Sequence, residues 1–74
     1  MAAIYGSAVR SDGSKINGTA TVSTSWNGNK GFPKGGQYRL DLSDNPRQSI
    51  TVYVDGKTYS VVHVDGDTRV DIKL

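Results

Sequence analysis

The chain has 74 residues, which is room for one domain with one modest hydrophobic core, so we expect a single domain over residues 1–74. The lack of cysteine excludes disulfides and thiolate metal sites, and nine Lys and Arg against seven Asp, scattered along the chain, exclude the concentrated basic footprint of a nucleic-acid binder. No apolar run approaches the roughly 20 residues that cross a bilayer and no signal-peptide pattern opens the chain, so we expect no membrane insertion, and the cellular compartment is undetermined.

Composition and alternation predict strands throughout. Val, Thr, Ser and Gly dominate, and these residues suit strands and turns better than helices. The first two predicted strands cover residues 3–9 and 19–24, with a turn at residues 11–14 between them. The next covers residues 37–42, where an alternating set is predicted to face the core: Tyr38, Leu40 and Leu42.

The C-terminal third predicts a hairpin. Asp55-Gly56 has the residues of a type I′ turn, and it joins a strand over residues 50–54 to one over residues 57–64. A two-residue loop predicts a register that pairs Val54 with Lys57, Val52 with Tyr59 and Ile50 with Val61. In this register one face of the hairpin is apolar and the other carries Tyr53.

A last strand is predicted over residues 68–74, after a second Asp-Gly turn at residues 65 and 66. Its apolar residues alternate with polar ones and are predicted to face the core: Val70, Ile72 and Leu74. The pattern permits a meander, in which this strand continues the hairpin's sheet, and also permits a second sheet that faces the hairpin across a core.

Four motifs carry a family resemblance: Ile4-x-Gly6-x-Ala8-Val9, then Asp12-Gly13, then Ile16-Asn17-Gly18-Thr19-Ala20-x-Val22, then Gly36-Gln37-Tyr38-x-Leu40-x-Leu42. Their order resembles that of the carboxypeptidase regulatory-like domains, which are small transthyretin-like β-sandwiches. The resemblance implies an all-β, antiparallel Greek-key sandwich of about seven strands, whose last strand crosses to lie beside the first. It also implies an accessory role without catalysis.

Few residues suggest chemistry. His63 is the only histidine, and neither a nucleophile motif nor a second ligand accompanies it, which favours a structural or surface position over a general base or metal ligand. Asp65 and Asp67 flank Gly66, and turn formation explains them better than a weak cation site does, since their spacing matches no complete calcium loop. We therefore predict no catalytic residues, no metal site and no cofactor.

The aromatic residues outside the predicted core are the best candidates for binding. Trp26 lies in a polar stretch and is predicted either to plug the end of a strand, with its indole N–H bonded to the backbone, or to form an exposed stacking platform. Tyr53 is predicted to point away from the core, and Tyr5 with it. The sequence thus predicts a non-catalytic module, monomeric or weakly oligomeric, that binds a protein or, as the alternative, a carbohydrate through Trp26, Tyr53 and Tyr5.

Overall fold

The computed structural model describes residues 2–74 and shows an all-β chain, as predicted. Its eight strands follow in order: β1 (Ala3–Val9), β2 (Val22–Thr24), β3 (Lys30–Gly31), β4 (Gln37–Asp41), β5 (Gln48–Val54), β6 (Lys57–Val64), β7 (Thr68–Arg69) and β8 (Ile72–Lys73). The predicted strand over residues 19–24 is shorter than expected, since only its second half is extended and paired. The described residues contain no helix of the length and hydrophobicity that a membrane span requires.

The strands form two four-stranded sheets that enclose one core. In the first sheet β1 lies between β4 and the C-terminal strands β7 and β8, and the second sheet has the order β3-β2-β5-β6. Buried residues of both sheets meet in a single cluster, to which the first sheet contributes Ile4, Leu40 and Ile72 and the second contributes Val22 and Val52. This arrangement is a small β-sandwich, while its Greek-key and transthyretin-like character stays a prediction.

The C-terminal segment leaves the hairpin and pairs with β1. Ile4 and Tyr5 lie beside Thr68 and Arg69, and Ala8 lies beside Ile72, in each case in parallel orientation. The expectation that the last strand lies beside the first is confirmed, and the meander is wrong. The other strand pairs of the two sheets are antiparallel, as expected. Two sheets that face each other bury both apolar surfaces, which a single meandering sheet leaves half exposed.

The predicted inward faces are largely confirmed. Tyr38, Leu40 and Leu42 are buried, and so are Val70 and Ile72. Leu74 was predicted to face the core but is 41% exposed, because the last strand ends at Lys73 and Leu74 lies beyond it.

The hairpin has the predicted turn but a different register. Asp55 and Gly56 both have positive φ, and Val54 pairs with Lys57 as expected. A bulge then places Tyr59 between two paired positions, so Val52 pairs with Ser60 and Ile50 with Val62. The predicted pairs Val52–Tyr59 and Ile50–Val61 are therefore wrong, because one inserted residue exchanges the faces of everything beyond it. As a result Val61 is 63% exposed, while Val62 and Val64 lie against the core.

Candidate binding face

His63, Asp65 and Asp67 are the residues that the sequence suggested for catalysis or metal binding. Within residues 2–74 no three His, Cys, Asp or Glu side chains come close enough to hold a metal ion. His63 is exposed on the outer face of the second sheet, opposite Ser49. Asp65 accepts a hydrogen bond of 2.9 Å from Asn45 Nδ2, and Asp67 accepts one of 3.1 Å from the Ala3 backbone N–H. Both aspartates thus stabilise the chain's own turns and strands.

Trp26 is the plug at a strand end, not a free platform. Its side chain is half-buried against the core. Its indole Nε1 donates a hydrogen bond of 3.0 Å to the Leu42 carbonyl, just beyond the end of β4. A buried indole normally finds such a partner, and here the partner is the backbone that the sequence reasoning anticipated.

The three aromatic candidates do not share a surface. Tyr53 alternates with the buried residues Val52 and Val54 of β5, so it lies on the outer face of the second sheet. Tyr5 follows the buried Ile4 in β1 and lies on the outer face of the first sheet, where it is 37% exposed. The core separates the two tyrosines, so they cannot contact one ligand together.

Tyr5 instead lies between two arginines on neighbouring strands. In the first sheet it pairs with Arg39 of β4 on one side and with Arg69 of β7 on the other. The neighbouring pair Ser7 and Gln37 adds polar side chains to the same surface. We call this surface the Tyr5 face and define it by Tyr5, Ser7, Gln37, Arg39 and Arg69. It forms a shallow depression with a volume of about 290 Å³.

Each arginine is held by the aspartate two residues later on its own strand segment. Arg39 Nε lies 3.3 Å from Asp41 Oδ1, and Arg69 Nε lies 3.0 Å from Asp71 Oδ1. Within residues 2–74 the terminal nitrogens of both guanidinium groups make no hydrogen bond, although Arg39 Nη2 lies 4.0 Å from Asp67 Oδ2. A guanidinium fixed through Nε keeps its outer N–H groups available for a carboxylate of a partner.

Asp71 fastens Arg69 to the centre of the sheet. Its Oδ1 accepts a hydrogen bond of 3.0 Å from the Ser7 backbone N–H as well as that from Arg69. The Ser7 bond, followed by the Arg69 contacts, lowers the pKa of Asp71 below its usual range. The carboxylate is therefore ionised at neutral pH and keeps the guanidinium beside Tyr5.

Tyr38 supports the face from below. It is buried, and its hydroxyl donates a short hydrogen bond to the Val70 carbonyl, which joins β4 to the C-terminal segment. Burial, and then the nearby Asp71 charge, raises the pKa of Tyr38 well above its usual range. The hydroxyl thus stays protonated and acts as a structural donor.

Alternation with the inward Tyr38, Leu40 and Leu42 puts Arg39 and Asp41 on the outside, where Tyr5 is also predicted, but it does not bring them together with Arg69. One signal was available: the segments Tyr38-Arg39-Leu40-Asp41-Leu42 and Thr68-Arg69-Val70-Asp71-Ile72 share an Arg-x-Asp pattern with the same alternation. Two such segments become neighbours of one strand only because the C-terminal segment pairs with β1, a fact of tertiary structure.

Comparisons with known proteins give no relative: no family model matches the chain, and neither a curated protein nor a solved structure does. The resemblance to carboxypeptidase regulatory-like domains therefore stays a prediction.

Proposed function

We propose that this chain is a non-catalytic binding module that docks a protein partner on the Tyr5 face. The observation that carries the proposal is the row Arg39–Tyr5–Arg69, formed by three adjacent strands. Tyrosine and arginine are among the residues that contribute most binding energy at protein interfaces. The resemblance described above also implies an accessory role.

The charge pattern of the face favours a partner with an acidic centre. The two arginines lie about 10 Å apart, two strand spacings, with Tyr5 between them. Three carboxylates, those of Asp41, Asp67 and Asp71, lie around this row. These carboxylates repel a uniformly anionic polymer, whereas a protein surface can present an acidic group to the arginines and basic groups to the aspartates.

The state of the ionisable groups supports binding over catalysis. Asp71 is bonded to Arg69 and to the Ser7 backbone N–H, and Tyr38 is buried, hydrogen-bonded and protonated. Groups fixed in this way give a preformed surface, which lowers the entropic cost of docking.

A carbohydrate partner is the second candidate, and Tyr5 is the observation that favours it. The tyrosine is partly exposed on a flat sheet face, with Gln37 and Ser7 beside it as hydrogen-bonding groups. This chemistry suits the apolar face and hydroxyl groups of a neutral sugar. The candidate uses Tyr5 in place of Trp26 and Tyr53, which lie elsewhere.

Photo-cross-linking tests the proposal. A photoreactive amino acid placed at position 5 should join the module to a protein in an extract of its source cells, and the same group at position 53 on the opposite sheet should not. Once that protein is purified, Tyr5→Ala should weaken binding by about 30-fold or more, while Tyr53→Ala should leave it unchanged. NMR spectra establish that each variant is folded.

Two outcomes would contradict the proposal. Cross-linking from position 53 alone would move the interface to the second sheet. Binding to neutral glycans on an array, abolished by Tyr5→Ala and without any protein cross-link, would favour the carbohydrate candidate.

A further inference from the structure

The outer edge of β4 is covered along its length. Near its start, Lys34 and Gln37 exchange backbone hydrogen bonds. In its middle the β3 backbone lies close, since a Cβ built on Gly31 would lie 3.2 Å from the Arg39 carbonyl oxygen. At its end the carbonyls of residues 41 and 42 accept side-chain hydrogen bonds from the loop between β2 and β3. The donors are Asn29 Nδ2, Trp26 Nε1 and Asn27 Nδ2.

The outer edge of β8 is capped by one side chain. Tyr59, at the bulge in β6, extends across to the first sheet, where its hydroxyl accepts a hydrogen bond of 3.0 Å from the Lys73 backbone N–H. The same hydroxyl lies 3.4 Å from the Asp71 carbonyl, to which it can donate. Tyr59 thus occupies backbone groups that an added strand would need.

The outer edge of β6 has no such cover. Within residues 2–74 its backbone groups bond only to β5. The bulge disturbs the first part of the strand, but Ser60 to Val64 continue as a regular strand. This stretch has no Pro and no Lys, Arg, Asp or Glu, which are the residues that usually protect an edge. It also exposes Val61, at 63%.

We propose that β6 pairs with β6 of a second copy of this chain, antiparallel, so that the two second sheets join into one sheet of eight strands. Every second residue of an edge strand directs its N–H and C=O outward. The backbone of another extended strand can hydrogen-bond to these groups. The same stretch of a second copy, Ser60 to Val64, can serve as this extended backbone. It is rich in β-branched residues, and it has no acidic or basic group other than His63 that would repel its copy.

A register centred on Val62 keeps both faces consistent. It places Val61 opposite His63 of the partner subunit, both on the outer face, and Ser60 opposite Val64 of the partner subunit, both on the inner face. No pair of like charges meets in this register. The alternative dimer, in which two Tyr5 faces pack on each other about a two-fold axis through Tyr5, is less favourable. It would place the arginines of one copy opposite the arginines of the other.

The symmetry of this pairing defines the size of the assembly. Pairing of β6 with itself is isologous and uses up the open edge of each copy. An isologous contact is closed, so this pairing by itself stops at the dimer. A paired stretch this short buries far less surface than a stable interface does, so we expect a weak dimer with a dissociation constant between micromolar and millimolar. The Tyr5 faces lie on the other sheets and stay accessible, so the dimer does not depend on the proposed function.

Sedimentation equilibrium over micromolar to millimolar concentrations tests the pairing. The average mass should rise from one chain towards two and no further. Val61→Lys should weaken self-association at least about tenfold, since it adds charge to both edges and removes two apolar contacts. Val61→Thr keeps a β-branched side chain and should retain the dimer. Ser49→Lys, which adds the same charge to the same face on β5, should do so too.

NMR locates the interface in the same samples. Amide exchange at residues 60–64 should slow with rising concentration, while that at Tyr5, Arg39 and Arg69 stays constant. A mass of one chain at all concentrations would overturn the proposal. So would a dimer that survives Val61→Lys, or protection that maps to another edge or to the Tyr5 face.

Discussion

Gly6 lies where the Tyr5 face is most tightly built. A Cβ added there would lie 2.6 Å from the Val70 carbonyl oxygen and 2.7 Å from Asp71 Oδ1, the carboxylate that holds Arg69. No side chain fits that space unless the backbone of the C-terminal segment moves. Glycine therefore allows this segment to approach β1 closely enough to place Arg69 beside Tyr5.

We predict that Gly6→Ala destabilises the fold by about 1–3 kcal/mol, because it forces β1 and the C-terminal segment apart. Gly28→Ala is the matched control, since its added Cβ meets nothing within 4 Å. Urea denaturation of the two variants measures the difference. Equal midpoints would mean that the close approach at Gly6 does not constrain the fold.

Asp71 gives the fold a dependence on pH. Its pKa in the folded chain lies below the ordinary value of 3.8, mainly because of the Ser7 N–H and then Arg69. The folded state therefore binds this proton less readily than the unfolded state. The resulting stability is present above pH 3.8 and is lost as the pH falls through the lowered pKa.

We expect Asp71→Asn to flatten the acid side of the stability profile. Between neutral pH and the acid range the wild type should lose more stability than the variant does, as measured by urea denaturation at a series of pH values. An identical acid limb in wild type and Asp71→Asn would refute this role of the carboxylate.

At the scale of the element, the bulge in β6 decides which valines belong to the core. Val64 is fully buried, whereas Val61, three residues earlier, is largely exposed. Val64→Ala should cost about 1–3 kcal/mol, and Val61→Ala should change stability by less than about 0.5 kcal/mol. Dilute samples, in which the proposed self-association is weakest, make the comparison clean. A larger loss for Val61→Ala would restore the register without a bulge.

Tyr59 is the second consequence of the bulge. Tyr59→Phe should lower the free energy of unfolding by about 0.5–1.5 kcal/mol, because the variant lacks the hydroxyl that accepts from the Lys73 N–H and donates to the Asp71 carbonyl. Hydrogen exchange at the Lys73 amide should become faster. Tyr53→Phe serves as the control, since the Tyr53 hydroxyl makes no hydrogen bond within residues 2–74. Unchanged exchange at Lys73 in Tyr59→Phe would show that β8 is protected by other means.

At the scale of the whole molecule, the first sheet needs both ends of the chain. The Ala3 N–H bonds to Asp67, 64 residues later, and the C-terminal segment supplies Val70 and Ile72 to the core. A chain that ends at Asp67 should therefore lack cooperative unfolding and a dispersed NMR spectrum, since β1 loses one neighbour and the core loses two residues. Leu74→Ala should remain folded. A folded truncated chain would show that the second sheet and β1–β4 suffice.

Much of this fold could be predicted from local patterns. Alternation alone places Tyr38, Leu40 and Leu42 in the core, and Asp55-Gly56 identifies the hairpin because both residues need positive φ. The bulge at Tyr59 breaks the alternation from which the faces were predicted. Strict alternation puts Val61 and His63 on the inner face, whereas the bulge puts Val62 and Val64 there.

The candidate site was harder to predict than the fold. The sequence pointed to exposed aromatics and predicted Tyr5 as one of them, but it grouped Tyr5 with Trp26 and Tyr53, which lie elsewhere. Arg69 reaches Tyr5 through a parallel pairing between segments 64 residues apart. The alternation at Val70 and Ile72 fits both a meander and a last strand that crosses to lie beside β1. Only the packed structure therefore decides which residues surround Tyr5.

The parallel pairing of β1 with β7 and β8 also determines how the molecule responds to stretching. β1 starts at Ala3, beside the entry to β7, and runs about 20 Å to Val9, beside Lys73 at the end of β8. A force that pulls the start of β1 away from the end of β8 therefore acts along the two neighbouring strands in opposite directions. The hydrogen bonds between β1 and the C-terminal segment share that load in shear, where a hairpin pulled from its open end would break them one at a time. We expect the domain to withstand tension better than its small core suggests.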